Sequence, residues 1–294
     1  MSAESEFLGS CRACGSTDAR AFARAAEHEF VRCAACRSIC RAGPVDRESL
    51  DALYRDPAYH DGRGHLDDDA IESAKTATAR AQLGVVAALV PPNCRYLEIG
   101  CSGGAALAAA VELGWRCSGV EPSPTAAAAA ARRPGVVTVW PGEVENAPFA
   151  PHSFDLIALF DVIEHFDDPR ASLRRINDLL AAGGRLLLVT PDAGSWSARI
   201  QRSRWPHLLA EHLVCFSRPA LRSVLNETGF DVERMGFAWK KVTLQMLVRH
   251  AELHPHVAFR SALIGLSQFL PEAVLRTPVP FNLGEVFVLA RRRD

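Results

Sequence analysis

Leu97-Glu98-Ile99-Gly100-Cys101-Ser102-Gly103-Gly104 is the stretch from which the fold can be read. The apolar run 95–99 breaks off into glycines and is followed at once by alanine-rich sequence, the pattern of a buried strand turning into a helix. Gly100, Gly103 and Gly104 let the backbone pass close to a ligand, and the first amides of the helix point free N–H groups at it. A second apolar run, 117–120, ends on Glu121, 23 residues after Glu98. A carboxylate there can accept from both hydroxyls of a ribose. Counted from Gly100 the spacing is G-x-x-G-G, not the G-x-G-x-x-G of nicotinamide and flavin binders. By itself the loop therefore announces only a nucleotide-like ligand.

Further strands are expected at 136–139, 154–160, 185–190, 231–237 and 285–290. An unbroken apolar run such as Leu186-Leu187-Leu188-Val189 suits a strand covered on both faces, as in a parallel sheet. Ser123-Pro124 and Asp168-Pro169 each supply a helix cap with proline in the first turn, and Ser217 caps a helix that Gly229 closes. Strands alternating with helices define an α/β, doubly wound architecture, whose ligands sit beyond the carboxyl ends of the strands.

Upstream, Cys11-Arg-Ala-Cys14 and Cys33-Ala-Ala-Cys36 form C-x2-C-x18-C-x2-C. Two such knuckles present four thiolates to one tetrahedral zinc ion, and four sulfurs leave no position open for water, so the metal is structural. Gly15 gives the first knuckle its permissive backbone, Phe30-Val31-Arg32 reads as a strand entering the second, and Cys40, four residues beyond Cys36, is a bystander near the ribbon, with a spare ligand as the alternative. The expected organisation is a zinc ribbon at 1–45, a helical linker and cap at 46–92, and a main domain at 93–294 with an insertion at 239–281. Within the linker, helical rhythm runs through Leu50, Leu53 and Tyr54 and again over 71–90, ended by Pro91-Pro92. Tyr54 and the loop residue Tyr59 either pack or cover a pocket edge.

At 294 residues and 48% hydrophobic, the chain has ample material for one large core. Its net charge of -1 offers no global attraction to nucleic acid or an anionic membrane. Met-Ser-Ala-Glu-Ser-Glu-Phe lacks the basic start and apolar segment of a secretion signal, and no stretch approaches the roughly 18 apolar residues of a membrane helix. A cytoplasmic protein without a membrane partner is expected. Nine cysteines, an odd number, fit metal binding better than a disulfide set.

Five segments in order make the reading specific: Leu-Glu-Ile-Gly-Cys-Ser-Gly-Gly, Gly-Val-Glu-Pro-Ser, Pro-Phe-Ala-Pro-His-Ser-Phe-Asp, Asp-Val-Ile-Glu-His and Gly-Gly-Arg-Leu-Leu-Leu-Val-Thr-Pro-Asp. Through them residues 95–192 resemble the core of a class I S-adenosylmethionine-dependent methyltransferase. The ribbon-like start, Leu53-Tyr54, and the segment Ala210-Glu211-His212-Leu213-Val214-Cys215-Phe216-Ser217 are similar to a bacterial subgroup that includes sugar C-methyltransferases. The resemblance implies a seven-stranded Rossmann-like sheet with helical lid segments and S-adenosylmethionine as cofactor. It also implies roles: Glu98 and Gly100, Cys101, Ser102 and Gly104 at the methionine part, Glu121 and Pro122 at the ribose, Glu143 and Val144 at the adenine, and Phe160 near the sulfonium. Two positions depart from the pattern, Ser102 where glycine is commonest and Glu143 where aspartate is.

Methyl transfer requires chiefly alignment of an acceptor within about 3 to 3.5 Å of the methyl carbon, with a base only where the acceptor must lose a proton. His212 is the first candidate base, because the subgroup's Glu-His-x-x-x-Phe-Ser segment supplies one; the alternative is a structural hydrogen bond holding the lid. Leu209, where that subgroup carries tyrosine, speaks against a sugar substrate. His165 is the second candidate, with bracing of the strand-to-helix turn as its alternative, and Glu164 is a brace. Trp196, Trp205, Phe216, Trp239 and Phe259 line an apolar pocket or pack in the core, and His254-Pro255-His256 is an exposed turn. The expected partner is a small-molecule acceptor in bacterial secondary metabolism or in glycan or sugar biosynthesis. The alternatives are an RNA or protein methyltransferase gripping its substrate with the ribbon, and a non-methylating S-adenosylmethionine-binding protein. Near-neutral charge, and Phe160-Asp161-Val162-Ile163 in place of the Asp/Asn-Pro-Pro-Tyr/Phe of base-amine methylation, argue against RNA.

Overall fold

A computed structural model describes residues 9–25, 27–56, 68–253 and 260–293. Strands β1 (Ala19–Ala25), β2 (His28–Cys33) and β3 (Ile39–Arg41) come first, then helices α1 (Arg47–Arg55) and α2 (Asp68–Gly84). β4 (Arg95–Ile99), α3 (Ala105–Glu112), β5 (Arg116–Glu121), α4 (Pro124–Ala131) and β6 (Val136–Pro141) alternate strand and helix, and β7 (Phe154–Phe160) follows β6 through a single 3₁₀ turn. α5 (Pro169–Leu179), β8 (Leu180–Pro191), α6 (Trp196–Gln201), β9 (Val214–Cys215), α7 (Arg218–Glu227) and β10 (Phe230–Phe237) lead to the insertion. That insertion holds β11 (Lys240–Thr243), α8 (Leu244–Leu253), α9 (Arg260–Ser267), α10 (Glu272–Arg276) and β12 (Pro278–Phe281), before β13 (Glu285–Arg292).

Seven strands form one sheet in the order β10-β13-β8-β7-β4-β5-β6. β4 to β8 are parallel, whereas β13 runs antiparallel to both its neighbours. The reversal places Glu285, at the start of β13, opposite Pro191 at the end of β8, on the ligand edge of the sheet. The caps act as the sequence predicts: Ser123 accepts from the Ala126 amide, Asp168 from those of Arg170 and Ala171, and Ser217 from that of Ala220. Leu97, Ile157, Leu159, Leu186 and Leu188 pack on one face of the sheet, Tyr96, Leu156, Leu187 and Val189 on the other, all fully buried. Among the described residues no helix is long and apolar enough to cross a membrane.

Several expected boundaries move. β8 begins at Leu180 rather than at 185, and β6 and β13 run two residues past their expected ends, because sheet pairing extends strands beyond their apolar centres. α2 stops at Gly84, with a single 3₁₀ turn at Ala87–Leu89 standing before the two prolines. Trp205 and Phe216 belong to the core, whereas Trp196 and Trp239 remain more than half exposed. Tyr59, Phe259 and the His254-Pro255-His256 segment lie outside the described residues.

The cysteine-bearing segment is not a free appendage. β1, β2 and β3 form an antiparallel sheet whose fourth strand is β9, contributed from between α6 and α7, with Ile39 opposite Cys215 and Cys40 opposite Val214. Ser217 donates to the Cys36 carbonyl at 2.6 Å, Arg170 to the carbonyls of Arg12 and Ala13, and Arg41 to that of Ala210 at 2.6 Å. The N-terminal segment thereby grips 210–217, the segment that carries His212.

Candidate cofactor and acceptor site

The glycine loop leaves β4 and bends sharply. Gly100 and Gly104 have φ of 70° and 83°, the left-handed region that L residues avoid, and a Cβ on Gly100 would collide with the Val162 side chain. Ser102, at the position where glycine is commonest, holds φ at 46°. Its backbone N–H donates to Glu121 Oε2 at 2.7 Å, while Glu121 Oε1 accepts from the Ser123 amide at 2.9 Å. The carboxylate is thus fixed across the ends of β4 and β5, and each oxygen keeps a second lone pair for a ligand hydroxyl. Arg133 donates to the Gly103 carbonyl and to Glu72 of α2, tying that helix to the loop.

Glu98 lies beneath the loop, buried, with Oε2 unbonded among the described residues. Burial, reinforced by the charge of Glu121, pushes its pKa well up. A buried carboxylate with one unbonded oxygen beside a glycine loop fits a ligand that brings a positive charge, as the ammonium and sulfonium of S-adenosylmethionine do. Cys101 is buried and Pro122 exposed at the adjoining turns. Val144 is buried after β6, whereas Glu143 is exposed and faces Arg47 at 3.9 Å.

On the opposite side of β4, β7 ends at half-buried Phe160 and turns through Asp161, φ 57°, into a 3₁₀ turn, Ile163–His165. The structure brings both candidate histidines together here, their rings 4.8 Å apart and perpendicular. His212 Nδ1 lies 2.8 Å from the His207 carbonyl, which can only accept, so the proton sits on Nδ1 and the lone pair on Nε2. His165 Nδ1 meets the Tyr54 hydroxyl at 3.0 Å, which joins α1 to this turn. Burial and the neighbouring His212 hold the His165 pKa down to about 3, and burial and His207 do the same to His212, about 3. Both rings are neutral near pH 7. Glu164 accepts from the Thr190 hydroxyl at 2.9 Å, and its carbonyl accepts from the Leu213 amide, tying the turn to the His212 segment. Glu164, His165 and His212 offer ligand atoms within 4.8 Å of one another, although the Thr190 and His207 bonds already occupy two of those groups.

Four residues of the site escaped the sequence reading: His207, Asp161, Lys240 and Glu285. Lys240 Nζ lies 2.7 Å from Asp161 Oδ2 and 2.5 Å from Glu285 Oε1, and His207 Nε2 is 3.9 Å from the latter. Burial opposes ionisation of Asp161, but Lys240 overrides it and its pKa falls. Burial likewise opposes the charge on Lys240, and the two carboxylates overcome it, raising its pKa. Burial lifts Glu285 to about 7 against the pull of Lys240. His207, lowered by burial and then by Lys240, stands at about 4. Composition held one clue. Three of the chain's 33 basic residues are lysines, and Lys240 is one of them.

The cysteine cluster has the geometry that its spacing predicts. Cys11 and Cys36 sulfurs lie 3.6 Å apart, Cys14 and Cys33 3.5 Å, and the four lie within 4.8 Å of one another. A tetrahedral shell with bonds of about 2.3 Å has sulfur edges of about 3.8 Å, so the four fit zinc. Gly15, φ 76°, closes the first knuckle. Cys40 is closer than a bystander need be, its sulfur 3.7 Å from that of Cys11.

A seven-stranded sheet with one reversed strand, a glycine loop after the first of its strands in sequence, β4, and an acid at the end of the next defines a Rossmann-like methyltransferase fold. The solved magnesium protoporphyrin IX methyltransferase of Synechocystis with bound S-adenosylhomocysteine matches it with a TM-score of 0.55 at 13% identity, over 84% of this chain and 100% of that one. The YcgJ protein of Bacillus subtilis matches with a TM-score of 0.50 at 20% identity, over 73% of this chain and 99% of that one. Residues 28–234 match the methyltransferase domain family, and the chain belongs to it. A ubiquinone biosynthesis O-methyltransferase of Xanthomonas campestris is 32% identical over 111 residues, 36% of this chain and 46% of that protein. The chain spans less than half the length of the curated relatives it matches.

Proposed function

We propose that the protein transfers the methyl group of S-adenosylmethionine to a small molecule. The observation that carries this reading is Glu121, held by the amides of Ser102 and Ser123 with lone pairs to spare, next to the buried carboxylate of Glu98 with its one unbonded oxygen. Glu98 and the 100–104 loop take the methionine part, Glu121 and Pro122 the ribose, Glu143 and Val144 the adenine, and Phe160 borders the sulfonium. The bound cofactor supplies a methyl carbon made electrophilic by cationic sulfur. The chain's residues align the acceptor and receive its proton, and His212 Nε2, its tautomer fixed by the His207 carbonyl, is the base. His165, braced by Tyr54, orients His212.

Cys11, Cys14, Cys33 and Cys36 hold a structural zinc ion that stiffens the sheet to which β9 belongs. Because that sheet grips the His212 segment, the ribbon acts in shaping the acceptor site, which favours a small acceptor over a macromolecule. The relatives named O-methyltransferases favour oxygen as the accepting atom. The test is calorimetric titration with S-adenosylhomocysteine. Wild type is expected to bind, and Glu121→Ala to lose at least tenfold in affinity, about 1.4 kcal/mol. Absence of binding to wild type, or an unchanged affinity in the variant, defeats the reading.

A further inference from the structure

Asp161, Lys240 and Glu285 form a charged cluster that cofactor binding does not use. Lys240 opens β11, in the insertion, and reaches back to the ends of β7 and β13. Placing three ionisable groups together, with Glu285 fully buried, sacrifices hydration, and well-packed apolar side chains would hold the fold at least as well. Nor is the trio needed to fix the insertion, which is anchored by the Lys241 amide on Thr78 Oγ1 at 2.8 Å and by Asn282 on the Glu285 carbonyl at 3.1 Å. An ammonium has three donors. Two go to Asp161 and Glu285, and among the described residues the third has no partner. The Lys240 side chain keeps 24% of its surface accessible and that of Asp161 39%, so the cluster opens onto space. His207, His212, His165 and Glu164 surround the same turn.

We propose that Lys240 is a catalytic residue whose third N–H donates to the acceptor's oxygen, and that the acceptor is a weakly acidic hydroxyl compound, a phenol or enol, methylated on that oxygen. This rests on the reading of the protein as an S-adenosylmethionine-dependent methyltransferase. The acceptor's O–H proton goes to His212 Nε2. The oxygen's electron pair forms the new O–C bond while the C–S bond breaks, its pair remaining on sulfur as a neutral thioether. Lys240 carries the oxygen's negative charge in between. The partners divide the work: a neutral imidazole nitrogen takes the proton while the ammonium stabilises the anion left behind, an arrangement suited to an oxygen that ionises readily, such as a phenol, near 10 in water, rather than to an ordinary alcohol. Asp161 and Glu285 aim the ammonium and keep it protonated.

The probe is 4-nitrocatechol, a phenol whose visible absorption reports its ionisation, added to the full chain saturated with S-adenosylhomocysteine. In wild type its apparent pKa is expected to fall by about one unit or more, a tenfold gain in the anion. Lys240→Met should abolish the fall, and Lys240→Arg should keep part of it. Should Lys240→Met fail to fold, Lys240→Gln combined with Glu285→Gln removes the cation together with one carboxylate and carries the same expectation. A purely structural lysine would not move the probe's ionisation. Wild type that binds S-adenosylhomocysteine yet leaves the probe unperturbed overturns the proposal, as does a full fall in Lys240→Met. Wild type that binds no S-adenosylhomocysteine overturns the cofactor reading first, and this proposal with it.

Discussion

At the scale of single residues, His212 has one nitrogen committed to structure and one without a partner among the described residues. His212→Asn retains a donor close to the Nδ1 position and removes Nε2. If Nε2 is the base, turnover falls by about 10²- to 10⁴-fold while the melting temperature changes little; a structural histidine would give the reverse pattern. The same variant has a signature in stability against pH. The folded pKa of His212, about 3, lies below the unfolded value near 6.5. As pH falls from 6.5 towards 3 the unfolded chain takes up a proton that the folded chain refuses, so this histidine weakens the fold, at up to about 1.4 kcal/mol per pH unit. Between pH 6 and pH 5 wild type should therefore lose about 1.2 kcal/mol of stability relative to His212→Asn, as urea unfolding can measure. Ser102 yields a second prediction. Its left-handed backbone costs roughly 1 kcal/mol that glycine would not incur, so Ser102→Gly should raise stability by about 0.5–1 kcal/mol, read from the urea midpoint.

At the scale of elements, zinc coordination and the acceptor site are joined through β9. Cys11→Ser or Cys33→Ser should abolish a zinc content of about one per chain and lower the melting temperature by several degrees, because the sheet loses its metal clip. The segment 207–217, held by β3 and by the Cys36 carbonyl, should then gain amide exchange faster than β4 or β7. Retained protection at Leu213 and Val214 would show that β9 holds without the metal. These elements also mark what the sequence disclosed. The glycine loop, Glu121, the capped helices and the four cysteines were legible, because each rests on local chemistry: backbone freedom, a cap, a two-residue knuckle. β9 was not, since two residues pairing with a strand far upstream leave no periodic signal. Lys240 and Glu285 were not, since they meet Asp161 only after the insertion folds back and β13 reverses.

At the scale of the whole molecule, one edge of the sheet carries two half-sites. Glu98, the 100–104 loop and Glu121 lie on the β4–β5 side, and His165, His212 and Lys240 gather beyond β7 and β13. The described core accounts for this division: the two buried faces hold the sheet rigid, so that charges at its rim keep their spacing. Both half-sites must face one reacting atom if the protein transfers methyl groups. A crystal structure with S-adenosylhomocysteine tests that most directly. The account predicts ribose hydroxyls on the two oxygens of Glu121, the methionine end on Glu98 and the 100–104 loop, and the sulfur pointing past Phe160 towards His212 Nε2 and Lys240. A ligand whose ribose avoids Glu121, or whose sulfur faces away from the His212 and Lys240 side, would contradict it.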